Sequence, residues 1–161
     1  MKTIKKLSML FACLILSATS FTSCEWDTSG EPDHPLFVSY TITAGAVRFD
    51  GPEQLLTDIN AWIKANQIVY DVQVNYTTGD ASEFTATDAQ AVTKYNEFAP
   101  KFKEYLNDMM KKLGEGAYKD EETGSNTTVA TFFISAARTQ GQEGSLKYEQ
   151  VEFNYPKSNG Q

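Results

Sequence analysis

Apolar and polar residues alternate with a period of two from Leu36 to Phe49 (LFVSYTITAGAVRF), with Val38, Tyr40 and Ile42 on one face and Ser39, Thr41 and Thr43 on the other. That is the pattern of a half-buried strand. The parity then changes, because Val47 and Phe49 are odd-numbered, so a bulge or tight turn at Ala44-Gly45-Ala46 is expected, with a hairpin as the alternative. Asp50-Gly51-Pro52-Glu53 predicts a helix start, with an acid in the N-cap region and proline in the first turn. Leu55, Leu56, Ile59, Trp62 and Ile63 form one helical stripe, ending near Asn66. Ile68, Tyr70, Val72, Val74 and Tyr76 alternate with Val69, Asp71, Gln73 and Asn75, the clearest strand pattern in the chain.

Thr77 to Ala86 reads as a loop, and Thr87-Asp88-Ala89-Gln90 matches a capping box. Val92, Tyr95, Phe98, Phe102, Tyr105, Leu106, Met109 and Leu113 follow at steps of three and four, closing at Gly114. Pro100 interrupts this stripe, so a kink or a break into two helices is expected between Asn96 and Pro100. Gly114 to Asn126 reads as a surface loop. Thr128 to Thr139 predicts a strand with Ala130, Phe132 and Ile134 on one face and Val129 and Phe133 on the other. Ser145 to Tyr155 predicts the last strand, with Leu146 and Tyr148 changing parity to Val151, Phe153 and Tyr155 and a bulge near Glu149-Gln150. The pattern implies an α+β fold of order β-α-β-α-β-β: a two-layer domain with a four-stranded, mainly antiparallel sheet and both helices on one face. The other face would then present Val69, Val129 and Phe133 as a partner surface.

The segment before this domain has a different character. Lys2, Lys5 and Lys6 precede the apolar run Leu7 to Ala18, and Thr19 to Ser23 lead to Cys24. At about 1.5 Å per residue, that run reaches only roughly 18 Å, short of a hydrocarbon core of about 30 Å. It reads as a cleaved signal. Phe21-Thr22-Ser23-Cys24 resembles the lipobox of bacterial lipoproteins, although Phe21 stands where Leu is usual. The resemblance implies cleavage before Cys24, acylation of that residue, and anchoring in the cell envelope at the outer membrane. Glu25 and Asp27 resemble the acidic stretch that directs many Bacteroidetes lipoproteins to the cell surface. The expected organisation is signal peptide 1–23, flexible tether 24–35, one globular domain 36–155 and a disordered tail 156–161.

Loss of the leader removes three lysines and no acid, so the mature chain is three units more negative than the full chain's −7. Arg48 and Arg138 are the only arginines. Nucleic-acid binding is therefore not expected, and membrane contact should come from the acyl chains on Cys24 alone. Cys13 lies in the leader and Cys24 is committed to lipid, leaving no thiol for a disulfide, metal or nucleophile. His34, the sole histidine, lies in the tether, so no histidine-based triad or metal site forms in the domain. No phosphate-binding loop or cofactor motif is present.

Carboxylate chemistry is what remains. Asp120-Glu121-Glu122 with Glu115 lacks the alternating spacing of a calcium loop, Asp80, Glu83 and Asp88 suit turn and cap roles, and Glu149 and Glu152 read as exposed strand residues. A glycosidase needs two carboxyls about 5 to 9.5 Å apart, a pairing that sequence does not reveal. Two readings follow. One is a non-enzymatic binding or assembly module, presented by a short tether to a protein or glycan partner, its oligomeric state open. The other is a small glycan-directed hydrolase using Asp and Glu. The sequons at Asn75 and Asn126 are chance matches in a bacterial lipoprotein.

Overall fold

The computed structural model describes residues 35–75, 84–141 and 143–156. The leader, Cys24, the tether through His34, Tyr76, Asp80, Glu83 and the tail from Lys157 lie outside them. The elements are β1 (Pro35–Asp50), α1 (Glu53–Asn66), β2 (Ile68–Asn75), α2 (Thr85–Gly114), β3 (Thr128–Gln140) and β4 (Gly144–Tyr155). The four strands form one sheet in the order β2-β1-β3-β4, and every neighbouring pair is antiparallel. The α+β order read from the sequence is the order observed.

Strand β1 organises the sheet. Its first half pairs with β2, from Pro35 opposite Asn75 to Ile42 opposite Ile68, and on its other side it runs along β3 from Ser39 opposite Gln140 to Asp50 opposite Val129. Helix α1 carries the chain back from the end of β1 to the level of Ile42, a return its 14 residues cover in roughly 21 Å. Both helices pack on one face. Leu55, Ile59 and Ile63 of α1 and Phe98, Phe102, Leu106 and Leu113 of α2 share a core with Ile42, Ala130, Phe132, Ile134 and Phe153. Phe132 meets Phe102 and Phe153 edge-on, at ring-centre distances of 5.9 and 6.2 Å. Each such buried ring contributes about 1.5–3 kcal/mol of transfer free energy. Trp62 stacks on Tyr105 at 5.0 Å and closes the space between the helices.

Several local expectations change. The bulge in β1 falls at Val47, not at Ala44-Gly45-Ala46, since Ala46 and Arg48 oppose successive residues Phe132 and Thr131. Val47 is thereby expelled to solvent, while Ala46 before it and Phe49 after it both pack on the core. In β4 the extra residue is Leu146, not Glu149 or Gln150, because Lys147 and Ser145 oppose Ala136 and Ala137. This turns Tyr148 outward and Glu149 inward. A third irregularity leaves Thr139 unopposed on β3.

The helix starts differ as well. Asp50 ends β1, and the carbonyl of Pro52 accepts the first bonds of α1, from the amides of Leu55 and Leu56. Helix α2 begins at Thr85, ahead of the expected capping box, and Thr87 Oγ1 bonds back to the Phe84 carbonyl. Pro100 lies inside one continuous helix rather than at a break. Pro100 and Asn96 are both exposed, so the bond the proline cannot donate to the Asn96 carbonyl is lost on the solvent side of the helix. Pro35, assigned to the tether, already pairs within β1.

Candidate functional site

Strand alternation sends every second side chain to the face away from the helices. No described element covers that face. It is rich in hydroxyls joined across strands: Ser39 Oγ donates to Asp71 Oδ1 at 2.6 Å, Thr41 and Thr139 are 3.2 Å apart, and Thr131 Oγ1 donates to Glu152 Oε1 at 3.2 Å. At its centre, Phe133 and Tyr148 lie parallel within 11°, their ring centres 6.1 Å apart. Two parallel rings at that spacing are laterally offset rather than sandwiched, with Phe133 half-buried over Gly45 and Tyr148 the exposed member of the pair. Gly45 makes the arrangement possible: a Cβ there would stand 2.6 Å from Cε1 of Phe133. The phenylalanine ring thus lies down across the neighbouring strand's glycine. Tyr148 is 57 % exposed, and its hydroxyl accepts a hydrogen bond from Gln150 Nε2 at 3.0 Å.

Val69, Val129 and Phe133 all lie on this face, but they are not brought together. Val129 is four residues from Phe133 along β3, roughly 13 Å, and Val69 sits two strands away opposite Thr41, roughly 16 Å from Phe133. Their exposures of 60 % and 40 % for Val69 and Val129 are those of isolated residues, separated by threonine and serine. The aromatic partner of Phe133, Tyr148, and the glycine beneath it were missed by sequence reasoning. Counting back in twos from Asn154 through Glu152 and Gln150 would have placed Tyr148 outward.

Toward the helices, three polar groups tie the layers together. The Tyr40 hydroxyl donates to Asp88 Oδ1 at 2.8 Å and lies 2.7 Å from Thr87 Oγ1, while Arg138 Nε stands 3.5 Å from the same carboxylate oxygen as an ion pair. Burial, reinforced by Asp88, pushes the Tyr40 pKa up to about 12, with the Thr87 bond working the other way. Tyr70 stacks on Tyr40 at 5.3 Å, and its buried hydroxyl has no hydrogen-bond partner. The Arg138 guanidinium lies 4.9 Å from the ring centre of buried Phe84. Further along α2, Lys103 Nζ donates to Glu149 Oε2 at 2.8 Å; this bond, with one from Tyr95, holds the Glu149 carboxyl below its ordinary range. Glu149 is therefore a packed partner of α2 and not a solvated strand residue. The third tie joins Tyr118 to Asp58 Oδ2 at 2.7 Å, and burial pushes that phenol up to about 12.

The remaining acids fall apart as a catalytic set. Asp50 and Asp120 line one shallow cleft of about 360 Å³, together with Thr123, Ser125 and Val129. The Thr123 hydroxyl and amide bond Asp120 Oδ1 at 2.8 and 2.7 Å and lower its pKa, the opposite of what a general acid requires. Asp88 is engaged by Tyr40 and Arg138, and Glu152 by Thr131. Among the described residues, no group of three or more His, Cys, Asp or Glu is placed to hold a metal ion, and no helix is long and apolar enough to cross a membrane. An open groove of about 630 Å³ runs past Asn107, Met110, Lys111 and Tyr155. No protein-family model, curated protein or solved structure matches the chain.

Proposed function

We propose that this chain is a lipid-anchored cell-envelope protein whose domain acts as a non-enzymatic binding or assembly module. Acyl chains on Cys24 hold it to the outer membrane, and the segment to Pro35 sets its distance from the bilayer. At roughly 3.3–3.6 Å per extended residue, the 11 steps from Cys24 to Pro35 reach about 36–40 Å. The observation that supports a binding role is a sheet face that no described element covers, which carries a parallel aromatic pair, aligned hydroxyls and a glycine that lets one ring lie flat. A sheet kept only for stability needs one packed face, and its other face needs only polarity.

Fractionation of cells producing the wild type and Cys24→Ala tests the anchor. Wild type is expected in the outer-membrane fraction and in the detergent phase of a two-phase extraction, with Cys24→Ala released to the soluble fraction. A Cys24→Ala protein that remains membrane-bound refutes lipid anchoring.

A further inference from the structure

Resting on the binding-module reading, we infer that the face centred on Phe133 and Tyr148 takes a neutral carbohydrate. Three features select that ligand class. The first is shape: a pyranose has a flat face of C–H groups, and the more than half-exposed ring of Tyr148, held parallel to Phe133 at 6.1 Å, offers a flat apolar surface on which that face can stack. The second is what surrounds that ring. Thr43, Ser135 and Gln150 supply hydroxyl and amide groups that both donate and accept, the complement of sugar hydroxyls. Ser135 lies directly opposite Tyr148, and Gln150 directly opposite Phe133.

The third is charge. Arg48 and Glu152 flank Thr131 at one end of this face, Asp71 lies at the other and exposed Lys147 neighbours Tyr148 on the edge strand, while the outward residues of β1 and β3 between these ends carry hydroxyl or apolar side chains. The chain's net charge, −7 with the leader and three units more negative without it, opposes anionic ligands such as sulfated or uronic-acid polymers. A protein partner fits less well. A stable interface buries about 800 Å² on each side around a contiguous apolar core. Here the exposed apolar residues Phe37, Val69 and Val129 are scattered along the face with polar residues between, Val69 and Val129 roughly 13–16 Å from the aromatic pair, and Val47 sits at the β1 bulge.

The test is titration of detergent-solubilised full-length protein with neutral hexasaccharides of β-glucan, α-glucan, mannan and xylan type, read by calorimetry and tyrosine fluorescence. At least one is expected to bind. Tyr148→Ala should weaken that binding tenfold or more, while Tyr148→Phe, which keeps the ring, should stay within threefold; circular dichroism should be unchanged in both. No binding by any of the four classes overturns the inference, and so does binding that Tyr148→Ala leaves intact. A photo-crosslinker at position 148 separates this failure from failure of the wider reading. Capture of a protein there without sugar binding overturns the carbohydrate assignment and leaves the module standing, whereas absence of both removes the two together.

Discussion

Replacing Tyr40 by Phe removes one oxygen from the interior and leaves the ring that stacks on Tyr70 at 5.3 Å. The residue is fully buried, and its hydroxyl donates to Asp88 Oδ1 at 2.8 Å. A hydrogen bond to a charged acceptor is worth about 1.5–3 kcal/mol net, so Tyr40→Phe should lose about 2 kcal/mol near pH 8. For a domain of this size that corresponds to a fall in Tm of roughly 8 °C. The deficit should then shrink in alkali. The pKa of Tyr40 in the folded chain, about 12, lies above its ordinary 10.0. Stability from keeping this phenol protonated is therefore complete below pH 10 and lost as pH rises toward 12. At pH 11 the loss is about 1.4 kcal/mol, and only the wild type suffers it. Urea unfolding followed by tryptophan fluorescence should show the Tyr40→Phe deficit dropping from about 2 to about 0.6 kcal/mol between pH 8 and pH 11. Tyr95 and Tyr118 are also raised by burial, but they titrate alike in both proteins and cancel. A deficit that stays constant over this range refutes the buried, high-pKa donor, and no deficit at pH 8 refutes the bond.

Two further outcomes follow from the ties along α2. Glu149 is lowered chiefly by its bond from Lys103, so its contribution is present above the ordinary carboxylate pKa and lost as pH falls through the depressed one. Between pH 5 and pH 3, wild type should therefore lose more stability than Glu149→Gln, by a margin that shrinks in high salt because Lys103 is 44 % exposed; identical acid profiles by urea unfolding refute it. Pro100→Ala restores an amide on the exposed side of α2 and should raise stability by up to about 3 kcal/mol. An unchanged or lowered Tm contradicts the view that the helix tolerates this proline at a cost.

What the chain disclosed in advance was whatever repeats locally. Strand β2 could be read because Ile68 to Val74 alternate without interruption, and α1 because one stripe from Leu55 to Ile63 leaves no other face to bury. Bulges were legible only as parity changes. A parity change says that one residue is extra between two anchors, not which one, and both Val47 and the Ala44-Gly45-Ala46 run lay between Ile42 and Phe49. In β4 the same ambiguity put Tyr148 on the wrong face and concealed the site's second ring. The capping-box pattern at Thr87 was matched within the helix because Thr and Gln at that spacing satisfy the pattern wherever they fall. The true start at Thr85 follows Phe84, which packs with Val38, Tyr40, Val74 and Ala91. Tyr118 and Asn126 had no local signal at all. One is buried from within a loop against Asp58, and the other donates Nδ2 to the Leu113 carbonyl at the end of α2.

The strands of the sheet are tied to that same helix at several points along its length. Tyr40–Asp88 joins its first turns to β1, Lys103–Glu149 joins its middle to β4, and Asn126–Leu113 secures its last turn to the residues entering β3. Helix α2 is thus tied along its length to three of the four strands or their immediate approaches. These ties hold the helix against the sheet that carries Gly45, Phe133 and Tyr148. The rings themselves are restrained by the packing of Phe133 on Gly45 and by the bond from Gln150 to the Tyr148 hydroxyl, and each side chain already ordered lowers the cost of the proposed binding by about 0.5–1.5 kcal/mol. The buried polar groups on the helix side act on the open face only indirectly, through the strands they hold. Loosening a tie such as Glu149–Lys103 should weaken capture at Tyr148 by less than removing the ring itself, because it changes the readiness of the surface and not its chemistry.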